Sequence, residues 1–235
     1  MKEVLDFFVD FFVAKCFKFK NLRNQYIFIW IPKNAGTSIY FSLRKKGMIK
    51  YKRLLAIKYF FNPRASVTFG HISLDSLLAA NLVKEKDICG ANFFAVLRDP
   101  YDRFNSIYNY YLDKGVFDRY NTPPTKTDIL GILESGHYPK VGLYHHISLS
   151  MFNTQVSWIP KNRKLTYFLQ DNLEQDANFF FKSLNEKLKL VVGNLNSSVD
   201  SGRDDLSDLE RLRIRSFYCE DFDLINSLKQ EDLQK

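Results

Sequence analysis

Residues Tyr26 to Lys46 read YIFIWIPKNAGTSIYFSLRKK, and the class of fold follows from how that run is parsed. Tyr26 to Ile31 is an unbroken apolar segment of strand length, the pattern of a strand buried on both faces of a parallel sheet. Pro32 stops it. Lys33-Asn34-Ala35-Gly36 then forms a tight turn of mostly small residues, and a helix is expected from Thr37 to Lys46. A buried strand feeding such a turn and a helix is how many α/β proteins bind phosphate. The first amides of the helix have no carbonyl to reach, and the helix dipole favours an anion there. Ala35 and Gly36 allow close backbone approach, Thr37 and Ser38 add hydroxyls, and Lys33 adds a charge. This is not a Walker A loop, in which the lysine follows the last glycine. Alone, the segment also reads as an ordinary strand–turn–helix capped by Thr37.

The flanking sequence repeats the alternation. Short strands are expected at Ser66–Phe69, Asn92–Leu97, Leu165–Leu169 and Leu188–Val192. Helices are expected from near Ser73, from Pro100 to about Leu112, over Leu173–Leu184, and as one long helix over Asp205–Leu228. Strands alternating with helices predict an α/β domain, a mainly parallel central sheet flanked by helices in three layers. Residues 25–235 are assigned to this domain.

Residues 1–24 are assigned to a separate N-terminal amphipathic helix. Leu5, Phe8, Val9 and Phe12 fall on one face of it. Asp6, Asp10 and Lys15 interrupt its apolar runs, which fall short of the roughly twenty residues that span a bilayer. The helix is expected either to dock on the main domain or to lie on a membrane surface, helped by Lys15, Lys18 and Lys20.

A net charge of +8 favours an anionic partner. The basic residues are dispersed, with no zinc-finger or RNA-binding pattern, so charge gives no argument for nucleic acid. Three widely spaced cysteines do not form a disulfide framework and suit a reducing compartment, while four histidines lack metal-ligand spacing. A cytoplasmic location and no metal are expected.

A second segment, Arg98 to Tyr108 (RDPYDRFNSIY), follows the expected strand Asn92–Leu97. Arg98 stands at the strand end, Pro100 opens a helix, and Ser106 lies about two turns along it. An arginine fork and a hydroxyl so placed can converge on one phosphate. The alternative is a surface ion-pair cluster of Arg98, Asp99 and Arg103, which would be worth little.

Together the two segments resemble the donor-binding motifs of sulfotransferases that use 3′-phosphoadenosine-5′-phosphosulfate (PAPS). In detail the chain resembles the Golgi-type carbohydrate sulfotransferases, including the heparan sulfate 2-O-sulfotransferase group. Both of that group's patterns, I-P-K-x-x-G-T-S and R-D-P-x-x-R-x-x-S-x-Y, are complete here. Phe69-Gly70-His71 is similar to a Gly-His element of the same enzymes. Softer likenesses follow at Gln155-Val156-Ser157-Trp158-Ile159, at Asn172 to Asp176, at Leu195 to Ser198 and at Tyr218-Cys219-Glu220-Asp221-Phe222.

The resemblance implies a P-loop-like domain and transfer of the sulfuryl group of PAPS to a hydroxyl of a carbohydrate acceptor. That acceptor would be a glycan, a glycolipid or a polysaccharide precursor. It implies that Lys33, Asn34, Ala35, Gly36, Thr37 and Ser38 hold the 5′-phosphosulfate, and that Arg98 and Ser106 hold the 3′-phosphate. His71 would be the general base and Lys33 the cation facing the leaving group, a division of labour that suits their chemistry. The chain shows neither a transmembrane anchor nor paired cysteines of the Golgi enzymes, which suits a bacterial, cytoplasmic member with possible contact to the inner membrane face. Protein-tyrosine sulfation, or binding of the desulfated product PAP or of a glycan without catalysis, are the rival readings.

Overall fold

A computed structural model describes residues 26–45, 50–54, 57–61, 65–67, 73–79, 84–117, 122–137, 149–183 and 206–233. The expected N-terminal helix, His71 and the expected strand at Leu188–Val192 lie outside the described residues.

Strand β1 (Tyr26–Ile29) leads through the Lys33 loop into α1 (Gly36–Lys45). Strands β2 (Lys50–Leu54), β3 (Ile57–Phe61) and β4 (Ala65–Val67) follow, then the short helices α2 (Leu74–Ala79) and α3 (Glu85–Ile88). Strand β5 (Asn92–Leu97) leads into α4 (Pro100–Asp113), and α5 (Lys126–Ser135) comes next. Two 3₁₀ turns, Leu149–Phe152 and Val156–Trp158, precede β6 (Leu165–Leu169). A third turn, Gln170–Asn172, runs into α6 (Leu173–Ser183), and α7 (Asp208–Phe217) and α8 (Cys219–Leu233) end the described chain.

The strands form one six-stranded sheet in the order β2-β3-β4-β1-β5-β6. Strands β4, β1, β5 and β6 are mutually parallel, and β3 and β2 continue the sheet antiparallel. The two-residue period of a strand divides its side chains between two cores. Tyr26, Phe28, Phe94, Val96 and Phe168 face α1 and α6, where they meet Ile39, Leu43, Leu173, Phe180 and Phe181. Ile27, Ile29, Phe93, Ala95, Leu97, Leu165 and Leu169 face α2, α3 and α8, where they meet Leu74, Ile88 and Ile225. Helices therefore cover both faces, which is why β1 and, after Asn92, β5 can be apolar throughout. Full burial of a Phe or Leu side chain stabilises the fold by about 1.5–3 kcal/mol. The aromatic layer of Phe28, Phe94, Phe168 and Phe181 thus accounts for a large part of what holds α1 and α6 to the sheet. A third core joins α4, α5 and α7 around Phe104, Ile107, Tyr111, Leu130 and Phe152.

Two expectations change. The antiparallel pair β2 and β3 was not foreseen, because Lys50-Tyr51-Lys52-Arg53-Leu54 is too basic to read as a buried strand, whereas an outer antiparallel strand tolerates charges. The single C-terminal helix is two helices that meet at Tyr218, whose backbone (φ −102°, ψ 26°) leaves helical geometry. The Tyr218 ring is buried and its hydroxyl donates to the Phe152 carbonyl at 2.5 Å. The break lets α7 pack in the third core while α8 packs on the sheet. Among the described residues no helix is long and apolar enough to cross a membrane.

Candidate functional site

Strands β1 and β5 are parallel neighbours in register, Ile29 beside Ala95. The two segments that stand out in the sequence therefore leave the sheet side by side at its carboxyl edge, where open α/β sheets place their ligands.

The loop after β1 is strained and held. Lys33 (φ 64°) and Ala35 (φ 51°) are both in the left-handed region, which costs a non-glycine residue about 1–2 kcal/mol. Between them Asn34 is buried, and its side-chain amide donates to the Val96 carbonyl at 2.7 Å and to Gln155 Oε1 at 2.5 Å. Asn34 thus pins the turn while its neighbours adopt the unusual backbone. Gly36 is required for space: a Cβ there would lie 1.8 Å from Nε1 of Trp30, whose ring stacks on Tyr40 and Phe28. The first backbone bond across this junction is Ile39 N–H to Ala35 O, so Ala35, not Thr37, stands at the cap position. The amides of Gly36, Thr37 and Ser38 lie in the first turn, ahead of any intrahelical acceptor.

Lys33 carries the charge of this loop under unusual conditions. Its ammonium lies 4.7 Å from the centre of the Tyr110 ring on α4. Burial, then the nearby Arg98 and Lys114, lower its pKa to about 8 against the opposing pull of Asp113. A lysine so placed gives up its proton from about pH 8 unless an anion joins it.

The loop after β5 brings the second cation alongside. Arg98 Nη1 donates to the Lys33 carbonyl at 3.3 Å, so the two segments touch. Asp99 does not pair with an arginine here; it caps α4, accepting from the amides of Tyr101 (2.9 Å) and Asp102 (3.2 Å), with Pro100 at the first helical position. Beside Arg98 opens a cleft of about 340 Å³, walled along α4 by Tyr101, Asn105, Ser106 and Asn109 and across from it by Leu206 and Arg211. The Arg211 guanidinium lies 5.2 Å from the Tyr101 ring centre.

Arg103, the other arginine of the motif, is not on this cleft. It is buried, and its guanidinium donates to the carbonyls of Pro32 (3.1 Å), Asn153 (2.9 Å) and Met151 (2.7 Å). In place of the alternative surface ion-pair cluster there is a helix cap at Asp99 and a buried clamp at Arg103. Burial lowers the Arg103 pKa, partly offset by Tyr218 and Asp221. Gln155 is buried too, and brackets the backbone of Arg98, accepting from its N–H at 3.0 Å and donating to its carbonyl at 2.8 Å.

Of the residues expected to bind the donor, Lys33, the first turn Gly36 to Ser38, Arg98 and Ser106 are on the two converging segments, and Ala35 shapes the junction. The Asn34 side chain faces inward, as the anchor of the loop. Arg211 had no signal in the sequence. It sits in Arg211-Leu212-Arg213-Ile214-Arg215, where alternate arginines look alike. Arg213 pairs with Glu134, and Arg215 lies 5.7 Å from the Phe222 ring centre. Among the described residues no group of His, Cys, Asp or Glu is placed to hold a metal ion. No protein-family model and no curated protein matches the chain.

Proposed function

We propose that the chain is a sulfotransferase that transfers the sulfuryl group of PAPS to a hydroxyl of a carbohydrate acceptor. The observation that carries this reading is the junction of two anion-suited segments: Arg98 bonds to the carbonyl of Lys33, and the cleft beside that bond is walled by Arg98 and Ser106. The motif resemblance assigns the 5′-phosphosulfate to one segment and the 3′-phosphate to the other. A cleft of about 340 Å³ is at the small end of ligand pockets and suits a phosphate with its ribose. The strand–loop–helix from β1 to α1 supports a P-loop-like domain.

When bound, PAPS would supply the sulfuryl group and the leaving nucleotide phosphate. The residues of the chain bind and orient it. The amides and hydroxyls of Gly36 to Ser38 suit its 5′ end, and Arg98, Ser106 and the newly found Arg211 suit its 3′-phosphate. Lys33 is a partly desolvated cation beside the first group, so its charge acts with less screening than in water. His71 is assigned the proton of the acceptor hydroxyl from the resemblance. It follows β4 closely in sequence, and β4 runs parallel to β1 toward the same sheet edge. The cytoplasmic setting, with peripheral membrane contact through residues 1–24, belongs to the same proposal.

Calorimetric titration of the full chain with PAP and PAPS, beside Arg98→Ala, tests the reading. Wild type should bind both without added metal, and Arg98→Ala should lose about 100-fold in affinity, the size expected for charged hydrogen bonds. Folded wild type that binds neither nucleotide sinks it.

A further inference from the structure

We infer that Gln155 is a positioning residue that couples the two anion-binding segments, held in turn by Asp221 of the C-terminal helix. The inference rests on the functional reading above for the identity of the ligand, but its geometry stands apart from it.

Arg98 is the first residue past the end of β5, so its N–H and carbonyl have left the strand ladder. A buried backbone group without a partner is costly, and here the partner is a side chain. The primary amide of Gln155 has the donor and acceptor of a peptide unit, and it meets Arg98 N and Arg98 O as a neighbouring strand would. The same Oε1 also accepts from Asn34 Nδ2 in the Lys33 loop, at 2.5 Å. One side chain therefore fixes the backbone from which Arg98 projects and the anchor of the strained turn carrying Lys33.

Gln155 is itself fixed from behind. Its N–H and that of Val156 donate to the two carboxylate oxygens of Asp221, at 2.8 and 3.0 Å. Asn34, Gln155 and Asp221 are all at most 1% exposed, so water does not compete for these bonds. Burial raises the Asp221 pKa, while Arg103 and the Gln155 and Val156 amides pull it back toward the carboxylate. The Gln155-Val156 and Tyr218-to-Phe222 segments are far apart in sequence and have no ligand group of their own on the cleft. Their meeting explains why both stand out in the sequence.

A residue that merely stabilised the fold would lower the melting temperature and leave the worth of Arg98 unchanged. A positioning residue makes that worth depend on itself. The test is a double-mutant cycle on PAP affinity, with wild type, Arg98→Ala, Gln155→Met and the double variant in the full chain. Methionine keeps the length of Gln155 without its amide. Arg98→Ala should cost about 100-fold in the presence of Gln155 and at least about tenfold less in its absence. Additive losses would overturn the inference and leave Gln155 a packing residue. Should Gln155→Met fail to fold, Asp221→Asn replaces it, with the same two outcomes. The cycle is run in parallel with inorganic pyrophosphate. Wild type that binds pyrophosphate but not PAP would overturn the sulfotransferase reading, while the pyrophosphate cycle still decides the role of Gln155.

Discussion

The cleft wall and the buried layer beneath it both draw on the Arg98-to-Tyr108 segment and do opposite work. On the wall, Arg98, Ser106 and Arg211 line the cleft. Beneath it, Asn34, Arg103, Gln155 and Asp221 are buried and direct their polar groups at each other and at backbone amides and carbonyls. Arg98 and Arg103 belong to one short motif, yet only the first is placed to meet a ligand. A motif that pairs a ligand arginine with a scaffold arginine reads as one functional unit, but its two charges should fail in different ways when removed.

The sharpest separation is expected at Arg103. Arg103→Ala strands the carbonyls of Pro32, Met151 and Asn153 in a closed interior and leaves a large hole. Loss of one partner from a buried charged network typically costs about 3–5 kcal/mol. Chemical denaturation should show that loss, whereas Arg98→Ala should change stability by less than about 1 kcal/mol while removing ligand affinity. The contrast breaks if Arg103→Ala unfolds at the wild-type denaturant concentration.

Lys33 belongs to neither region: it rides on the loop that Asn34 pins and sets its ammonium over the Tyr110 ring. Its pKa of about 8 compares with 10.5 for an ordinary lysine. Between those values the unfolded chain holds a proton that the folded chain has released, so stability should rise as pH increases from about 8 toward 10.5. Anion affinity should run the other way. A bound phosphate favours the ammonium, so binding should take up a proton near pH 8 and weaken by up to about tenfold per pH unit above it. Calorimetry in two buffers of different ionisation enthalpy measures the uptake. Lys33→Arg keeps its charge throughout that range and should show none.

The alternation of buried strands and helices was legible because β1 and nearly all of β5 are buried on both faces, and burial writes an apolar run. The ends of β5 and β6 were read to the residue: Asn92 to Leu97 follows Gly90-Ala91 and stops at Arg98, and Leu165 to Leu169 follows Lys164 and stops at the Gln170 turn. What the sequence did not reveal depends on long-range partners. Nothing local marks Tyr218 as a helix break, because the cause is a bond to Phe152 from the other side of the third core. Nothing local separates Arg98 from Arg103, because the acceptors of Arg103 come from the Lys33 loop and from the turn near Phe152. Nothing local marks the Asn34 side chain as the anchor of its loop, because its acceptors on Val96 and Gln155 are 62 and 121 residues away.

Arg211 offers the finest test, since it stands on the wall but comes from the α7 side, outside both motifs. It is exposed, and exposed ion pairs contribute about 0.2–1 kcal/mol, so Arg211→Ala should weaken PAP binding only about 2–5-fold. Salt distinguishes it from Arg98. The Debye length falls from about 10 Å at 0.1 M to about 3 Å at 1 M, so the Arg211 effect should fade with added salt, while the more enclosed Arg98 keeps most of its own. Ligand choice distinguishes it further. If Arg211 faces the 3′-phosphate, its removal should weaken PAP and leave adenosine 5′-phosphate unaffected. Equal losses for the two nucleotides would make Arg211 a contributor to the general positive field, and the cleft wall would then end at α4.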